Sequence, residues 1–176
     1  KFALGDKELL KELIEQFIDA GFDKNTAIKL INSILFLKST EDNFSTIDLC
    51  VIDLYSGSAE FAKIGAAPSV IIRQDGVEYI KSVNLPAGIM DNVELEIKNR
   101  TIKSGEFVIT LSDGVFDSFG DPDIRYKKFS EFIKSIDSIN PQQIAEIIMD
   151  RAVLNYEGQA GDDMTVIVSK VWKKLR

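Results

Sequence analysis

The sequence predicts an α+β fold in which an antiparallel β-sandwich is flanked by layers of helices. The strand-like segments between residues 45 and 112 are joined by short connections, which favour antiparallel neighbours. Helix-like segments are confined to residues 6–37 and 129–152, and a final strand is expected over 164–172. Helices and strands segregated along the chain in this way indicate α+β architecture rather than a parallel α/β sheet.

The N-terminal part of the chain predicts a helical hairpin over residues 6–37. Apolar residues recur at helical spacing in two segments, with a very short connection between them. Asp6 is the expected N-cap of the first helix and Gly21 the residue that ends it, while Asp23 or Asn25 caps the second. Such helices usually pack on a core, and a docking surface for a partner is the alternative.

The predicted strands rest on alternating apolar residues and on the turn residues between them. Asp75-Gly76 is a strong hairpin signal, and the nearly continuous apolar run at 106–111 is typical of a strand buried on both faces. We expect strands over residues 45–54, 59–65, 69–73, 77–81, 93–98 and 106–111.

Helices are expected again toward the C-terminus. Residues 129–137 have a helical pattern, and Asn140-Pro141 then begins another helix, with Asn140 as N-cap and proline in the first turn. Residues 156–163 form a polar loop before the final strand.

Composition narrows the chemistry. The chain has 176 residues, a length typical of one domain. Its net charge is −7, and it contains no histidine and one cysteine, Cys50. Imidazole bases, histidine-ligated zinc and an intrachain disulfide are therefore excluded, and the acidic surface disfavours nucleic acid. Cysteine usage makes a cytoplasmic location the default, and no apolar run approaches the roughly 20 residues that cross a bilayer.

Two acidic segments lie at the ends of predicted core strands. Ser112-Asp113-Gly114 follows the strand at 106–111, and Gly161-Asp162-Asp163 precedes the last strand. Carboxylates held side by side there would form an all-oxygen site for Mg²⁺ or Mn²⁺, and Gly114 and Gly161 would let backbone approach the ion. Taken singly, each segment is better explained as an ordinary turn, and it is their joint occurrence that points to a site.

Several motifs together carry a family resemblance. FVITLSDGVFD at 107–117 and GQAGDDMTVIVSKVW at 158–172 resemble the C-terminal metal motifs of type 2C metal-dependent serine/threonine protein phosphatases. The segments at 27–35, 47–73 and 84–89 resemble, more closely, the stage II sporulation protein E group of those phosphatases. Each motif is short, but their order and spacing extend over nearly all of the chain.

The resemblance implies hydrolysis of phosphoserine or phosphothreonine in a protein by a water that Mn²⁺ or Mg²⁺ ions activate. It implies that Asp113 and Asp162 bind the same ion and that Asp163 supports them. Asp117 matches a position where some relatives hold a further, weaker ion, and a solvated residue at a helix start is the preferred explanation. The implied substrate is a phosphorylated anti-anti-sigma factor.

One family motif has no counterpart in these residues. The family's first metal motif resembles Asp-Gly-Met-Gly, whereas the chain starts KFALGD, so it is expected to begin just after that motif and the N-terminal strands. About half of the metal site would then be present, with weak single-ion binding and little turnover. Unpaired sheet edges would favour self-association.

Two functional interpretations follow. The first is a fragment of a sporulation-type phosphatase, whose longer parent protein could be anchored in a membrane. In this group the N-terminal helices are linked to regulation and dimerisation, so a homodimer is expected. The second is a non-catalytic module that keeps the scaffold and docks partners through its helical hairpin. Lysines and arginines are scattered, and no basic patch stands out.

Overall fold

A computed structural model describes residues 4–37, 44–91, 93–157 and 162–172 of the chain. It contains helices and antiparallel sheets, which confirms the α+β prediction. The helices are α1 (Leu4–Asp19), α2 (Lys24–Leu37), α3 (Asp113–Asp117), α4 (Pro122–Ser135) and α5 (Pro141–Asn155). The strands are β1 (Ile47–Ile52), β2 (Ser58–Ile64), β3 (Ser69–Arg73), β4 (Gly76–Ile80), β5 (Ile97–Thr101), β6 (Phe107–Leu111) and β7 (Val166–Lys170).

Two compact units divide the chain. The first unit comprises Lys1–Ile52, Ala59–Ala66 and Ser82–Arg100. The second unit comprises Asp53–Ser58, Ala67–Lys81 and Thr101–Arg176. Each unit has its own cluster of buried apolar residues, so each can be described by itself.

The first unit combines the predicted helical hairpin with a sheet of strand order β1-β2-β5. Gly21 ends α1 with a φ of 88°, which glycine adopts without strain, and the Asp23 side chain caps α2 by accepting from the Thr26 backbone N–H at 3.0 Å. Asp6, by contrast, is not an N-cap, because α1 already begins at Leu4.

The core of the first unit lies between α2 and the sheet. Ile28, Ile31 and Leu35 of α2 are buried with β-strand residues such as Ile47 and Ile64. Burying these side chains removes apolar surface from water, and each contributes about 1.5–3 kcal/mol relative to exposure.

The second unit is built on a sheet of strand order β4-β3-β6-β7, covered by apolar residues of α3, α4 and α5. β3 and β4 form the predicted hairpin, in which Arg73 pairs with Gly76 across a two-residue turn. The Asn140 side chain caps α5 as predicted, accepting from the backbone N–H groups of Gln142 and Gln143. β6 is central, which explains its continuous apolar character.

Several predicted bounds were wrong, and the segments of β5, α4 and α3 differ most from the structure. The strand expected at 93–98 begins at Ile97. The alternating residues Val93 and Leu95 pack on the core of the first unit, but among the described residues they are not paired with a neighbouring strand. The helix expected at 129–137 begins at Pro122, since its polar first turns carry little apolar periodicity. The short helix α3 was expected as a turn.

Candidate functional site

The ends of β6 and β7 are joined by hydrogen bonds around Ser112. Its backbone N–H donates to the Thr165 carbonyl at 3.0 Å, and its hydroxyl accepts from the Thr165 N–H at 3.0 Å. The same hydroxyl donates to the Asp163 carbonyl at 3.0 Å. Antiparallel pairing of β6 with β7 continues into these contacts, so the two acidic segments predicted from the sequence meet at one edge of the sheet.

Gly114 lies where the two segments approach most closely. A Cβ atom at this position would lie 2.6 Å from the Asp163 carbonyl oxygen and 3.3 Å from the Asp162 Cβ. A separation under 3.0 Å from backbone is a clash, so only glycine allows this approach. The sequence predicts that Gly114 lets the backbone approach a metal ion. In the structure, Gly114 lets the backbone approach the neighbouring acidic segment.

Asp113 and Asp162 both expose their carboxylates at this edge. Each accepts a hydrogen bond from the N–H of the following residue, at 3.0 Å for Asp113 and 2.8 Å for Asp162. Within residues 4–37, 44–91, 93–157 and 162–172, neither carboxylate forms a salt bridge. Both negative charges act on Asp117, which places all three carboxyl groups in one electrostatic environment.

Asp117 ends α3 and pairs with Arg125 of α4. Arg125 also donates from Nε to the Gly120 carbonyl at 2.9 Å, so its guanidinium is held between α3 and α4. Burial, together with the charges of Asp113 and Asp162, raises the pKa of Asp117, whereas Arg125 lowers it. The expected position at a helix start was wrong, because Asp117 ends α3, whereas its side chain is exposed as expected and pairs with Arg125.

Tyr156, just after α5, is a further residue of this site that the sequence did not identify. Burial raises the pKa of its hydroxyl, and the charges of Asp117, Asp162 and Asp113 raise it further while Arg125 lowers it. Neither Tyr156 nor Arg125 has a motif or a periodicity that links it to the acidic segments. Only the packing of α4 and α5 beside α3 brings them there.

Asp163 contributes its backbone carbonyl to the Ser112 contact, while its own side chain is exposed. Gly161, the remaining residue of the predicted acidic motif, lies outside the described residues. The Asp163 main chain joins the ends of β6 and β7, and the supporting role of its side chain beside a metal ion stays a prediction.

The donor chemistry of this edge fits a hard divalent cation. Carboxylate oxygens are the ligands that Mg²⁺ and Mn²⁺ prefer, and Mg²⁺ is often held by one or two carboxylates while it keeps several waters. Among the described residues, no group of three or more carboxylate or thiol side chains is arranged to hold a metal. The site as described thus offers a partial ligand set of the right kind.

The fold matches that of PP2C-type phosphatase domains of known structure. A structure of the PP2C phosphatase domain and a fragment of the regulatory domain of SpoIIE from Bacillus subtilis aligns with a TM-score of 0.83 and 36% identity. The alignment covers 93% of this chain and 49% of that one. A manganese-presoaked phosphatase domain of the same protein aligns at 31% identity and a TM-score of 0.70, covering 100% and 77% of the two chains.

The chain belongs to the stage II sporulation protein E family, whose family model matches residues 8–172. The stage II sporulation protein E of Bacillus subtilis (strain 168) is 36% identical over 160 residues, which are 91% of this chain and 19% of that protein. The chain therefore spans about a fifth of the length of this relative.

The PP2C phosphatase family is metal-dependent. In the described segments, every helix is too short or too polar to pass through a lipid bilayer.

Proposed function

We propose that this chain forms the phosphatase domain of a metal-dependent protein serine/threonine phosphatase, in which Asp113 and Asp162 bind the same Mn²⁺ or Mg²⁺ ion. The observation that carries the proposal is the meeting of the two acidic segments around Ser112 and Gly114. Family membership supports the reaction class, and the carboxylate donors support the choice of ion.

Each residue of the edge has a distinct role in this proposal. Gly114 admits the Asp162 segment, and Ser112 holds the two strand ends so that the carboxylates keep a fixed separation. When bound, the ions would lower the pKa of a bound water, and their positive charge would stabilise the negative charge of the phosphoryl oxygens. Asp117 is already paired with Arg125, so we place it outside the ligands of that ion.

The proposed substrate is a phosphoserine or phosphothreonine residue of a protein. By analogy with the sporulation family, we propose a phosphorylated anti-anti-sigma factor. A homodimer and a cytoplasmic location remain predictions that rest on the same family relationship and on cysteine usage.

The test replaces each proposed ligand in the full-length product of the gene that encodes these residues. We expect Asp113→Asn and Asp162→Asn each to lower phosphate release from a phosphoserine protein by at least about 100-fold, because an amide oxygen is a weaker, uncharged ligand. Calorimetry should show Mn²⁺ affinity falling in both variants while the melting temperature stays near that of the wild type.

Asp150→Asn on α5 is the matched control, since it removes the same charge from an exposed helical position in the same unit. It should retain phosphate release and Mn²⁺ affinity. Full activity in both Asp113→Asn and Asp162→Asn would falsify the assignment of these ligands.

The second candidate is a non-catalytic module that docks partners through the α1–α2 hairpin. It is favoured by the lack, among the described residues, of a complete cluster of metal-binding side chains. In this case the full-length protein would release no phosphate with Mn²⁺ or Mg²⁺. Substitution of Asp113 or Asp162 would then leave partner binding unchanged.

A further inference from the structure

A second concave feature lies in the same unit as the candidate site. It is a pocket of about 380 Å³ between the turn that follows α3 and the helices α4 and α5. Phe119 and Phe132, whose ring centroids are 5.3 Å apart, contribute its apolar surface. Lys128 of α4 and Arg151 of α5 contribute two positive charges from different helices.

Both cations lack an acidic partner in the part of the chain that the structure describes. The Arg151 guanidinium lies over the Phe132 ring, 5.1 Å from its centroid, and Lys128 Nζ lies 3.3 Å from where a Cβ of Gly120 would be. No salt bridge joins either of them to a carboxylate among those residues. In a chain of net charge −7, two unneutralised cations in one pocket are an unusual local excess of positive charge.

One carboxylate also lines the pocket, and it has its own partner. Glu131 pairs with Lys127 one turn earlier on α4, with the Lys127 Nζ and a Glu131 oxygen 3.9 Å apart. The pocket therefore keeps an excess of positive charge that an anion can neutralise.

The pocket borders the candidate metal-binding edge. Ser118, which lines it, directly follows Asp117, and Asn155, which also lines it, directly precedes Tyr156. Asp117 and Tyr156 both lie within the electrostatic influence of Asp113 and Asp162. Because neighbouring Cα atoms are about 3.8 Å apart, the wall of the pocket begins one residue away from Asp117 and from Tyr156.

We propose that this pocket binds an acidic side chain that flanks the phosphorylated residue of the protein substrate, with Lys128 and Arg151 as specificity-determining residues. The proposal rests on the proposed phosphatase function. A glutamate fits both parts of the pocket, because its methylene groups can pack on the phenylalanine rings while its carboxylate meets the cations. Inorganic phosphate has no apolar part and uses only the cations.

Peptide binding tests the proposal without requiring catalysis. The probes are a nine-residue peptide with serine at its centre and two glutamates on each side, and the same peptide with glutamines. NMR titration of the full-length protein should show the glutamate peptide binding about tenfold more tightly, with shifts centred on α4 and α5. Lys128→Gln and Arg151→Gln should each reduce this preference about threefold.

Lys134→Gln is the matched control, because Lys134 is an exposed cation in the last turn of α4 and does not line the pocket. It should leave the preference within about twofold of the wild type. Equal binding of the two peptides, or an equal loss in Lys134→Gln, would overturn the proposal. So would inorganic phosphate shifting the pocket resonances while the peptides are not discriminated.

The outcome is separable from that of the phosphatase assay. If the peptide preference depends on Lys128 and Arg151 but the protein releases no phosphate, the proposed pocket is supported and the proposed phosphatase function is contradicted. If the protein releases phosphate but does not prefer the glutamate peptide, the phosphatase function is supported and the proposed pocket is contradicted.

Discussion

The two units bury different kinds of side chain under their helices. The buried face of α2 in the first unit includes Asn32, which is 1% exposed, whereas the buried residues of α4 and α5 are all apolar. The Asn32 amide donates to the backbone carbonyls of Met90 and Asp91 at 2.9 and 3.0 Å, and its oxygen accepts from the Gly88 N–H at 2.9 Å.

The second unit relies instead on contacts between aromatic rings. Phe129 is fully buried, and its ring lies 4.8 Å from that of Phe119 and 5.7 Å from that of Phe116, in edge-to-face geometry. Phe116 in turn contacts Tyr126 at 4.9 Å. Phe116 belongs to α3, so this cluster packs directly beneath the helix that carries Asp113 and Asp117.

The difference concerns what each mode of packing can specify. Ring packing stabilises strongly but tolerates changes of similar volume, whereas buried hydrogen bonds are directional and fix one arrangement of the groups they join. The candidate metal-binding edge thus lies next to densely packed apolar residues. In the first unit, a single amide sets the position of the loop at 88–91 relative to α2.

Removing a ring should have the largest effect on stability. Phe129→Ala should lower the free energy of unfolding by about 4 kcal/mol, because it deletes a fully buried aromatic side chain and leaves a cavity. Urea denaturation measures this. Ile139→Ala, at a side chain that is 76% exposed, is the control and should change stability by less than about 0.5 kcal/mol. A similar small loss for Phe129→Ala would contradict the dependence of the second unit on ring packing.

Asn32→Leu should have a smaller effect of about 2–3 kcal/mol. The substitution keeps the number and branching of the side-chain heavy atoms but removes the partners of three backbone groups, and each unsatisfied buried group is costly. Hydrogen exchange should report faster exchange at the Gly88 amide, while the exposed Asn99→Leu leaves that amide protected. Unchanged protection of Gly88 in Asn32→Leu would show that the amide does not position the loop.

The smallest effect concerns Cys50 in β1. Burial, and then the charge of Asp48, raises the pKa of the Cys50 thiol from 9.0 to about 11, although Lys63 opposes this. A raised pKa means that the folded state retains the proton between pH 9 and 11, so this contribution to stability is lost as the pH rises through that window. At pH 8 the folded protein should hold about 100-fold less thiolate than the unfolded chain.

Iodoacetamide alkylation across this pH range checks the prediction, with the urea-unfolded chain as reference. Asp48→Asn should lower the apparent pKa of Cys50, because it removes a nearby negative charge. Alkylation of the native protein with a midpoint near pH 9 would show that burial in the first unit does not protect the thiol.

Local signals explain which elements were predictable. Asp75-Gly76, Gly21 and Asn140-Pro141 act through backbone preferences of a few neighbouring residues, and the structure places a turn or helix boundary at each. The boundaries that failed lacked such signals. The apolar residues that alternate at 93–96 are partly buried but do not pair with a neighbouring strand in the described part of the chain. The first turns of α4 are polar and so carry little helical periodicity of apolar residues.

The sequence by itself determined the order of the elements apart from α3, the lack of histidine chemistry and the two acidic segments at strand ends, because composition and short-range patterns decide these. Only the tertiary structure decided that Arg125 pairs with Asp117, that Tyr156 joins the same environment, and that Lys128 and Arg151 share a pocket. The physical reason is that these groups come from separate helices. Their proximity depends on how α4 and α5 pack on β6 and β7, and no periodicity along the chain encodes that packing.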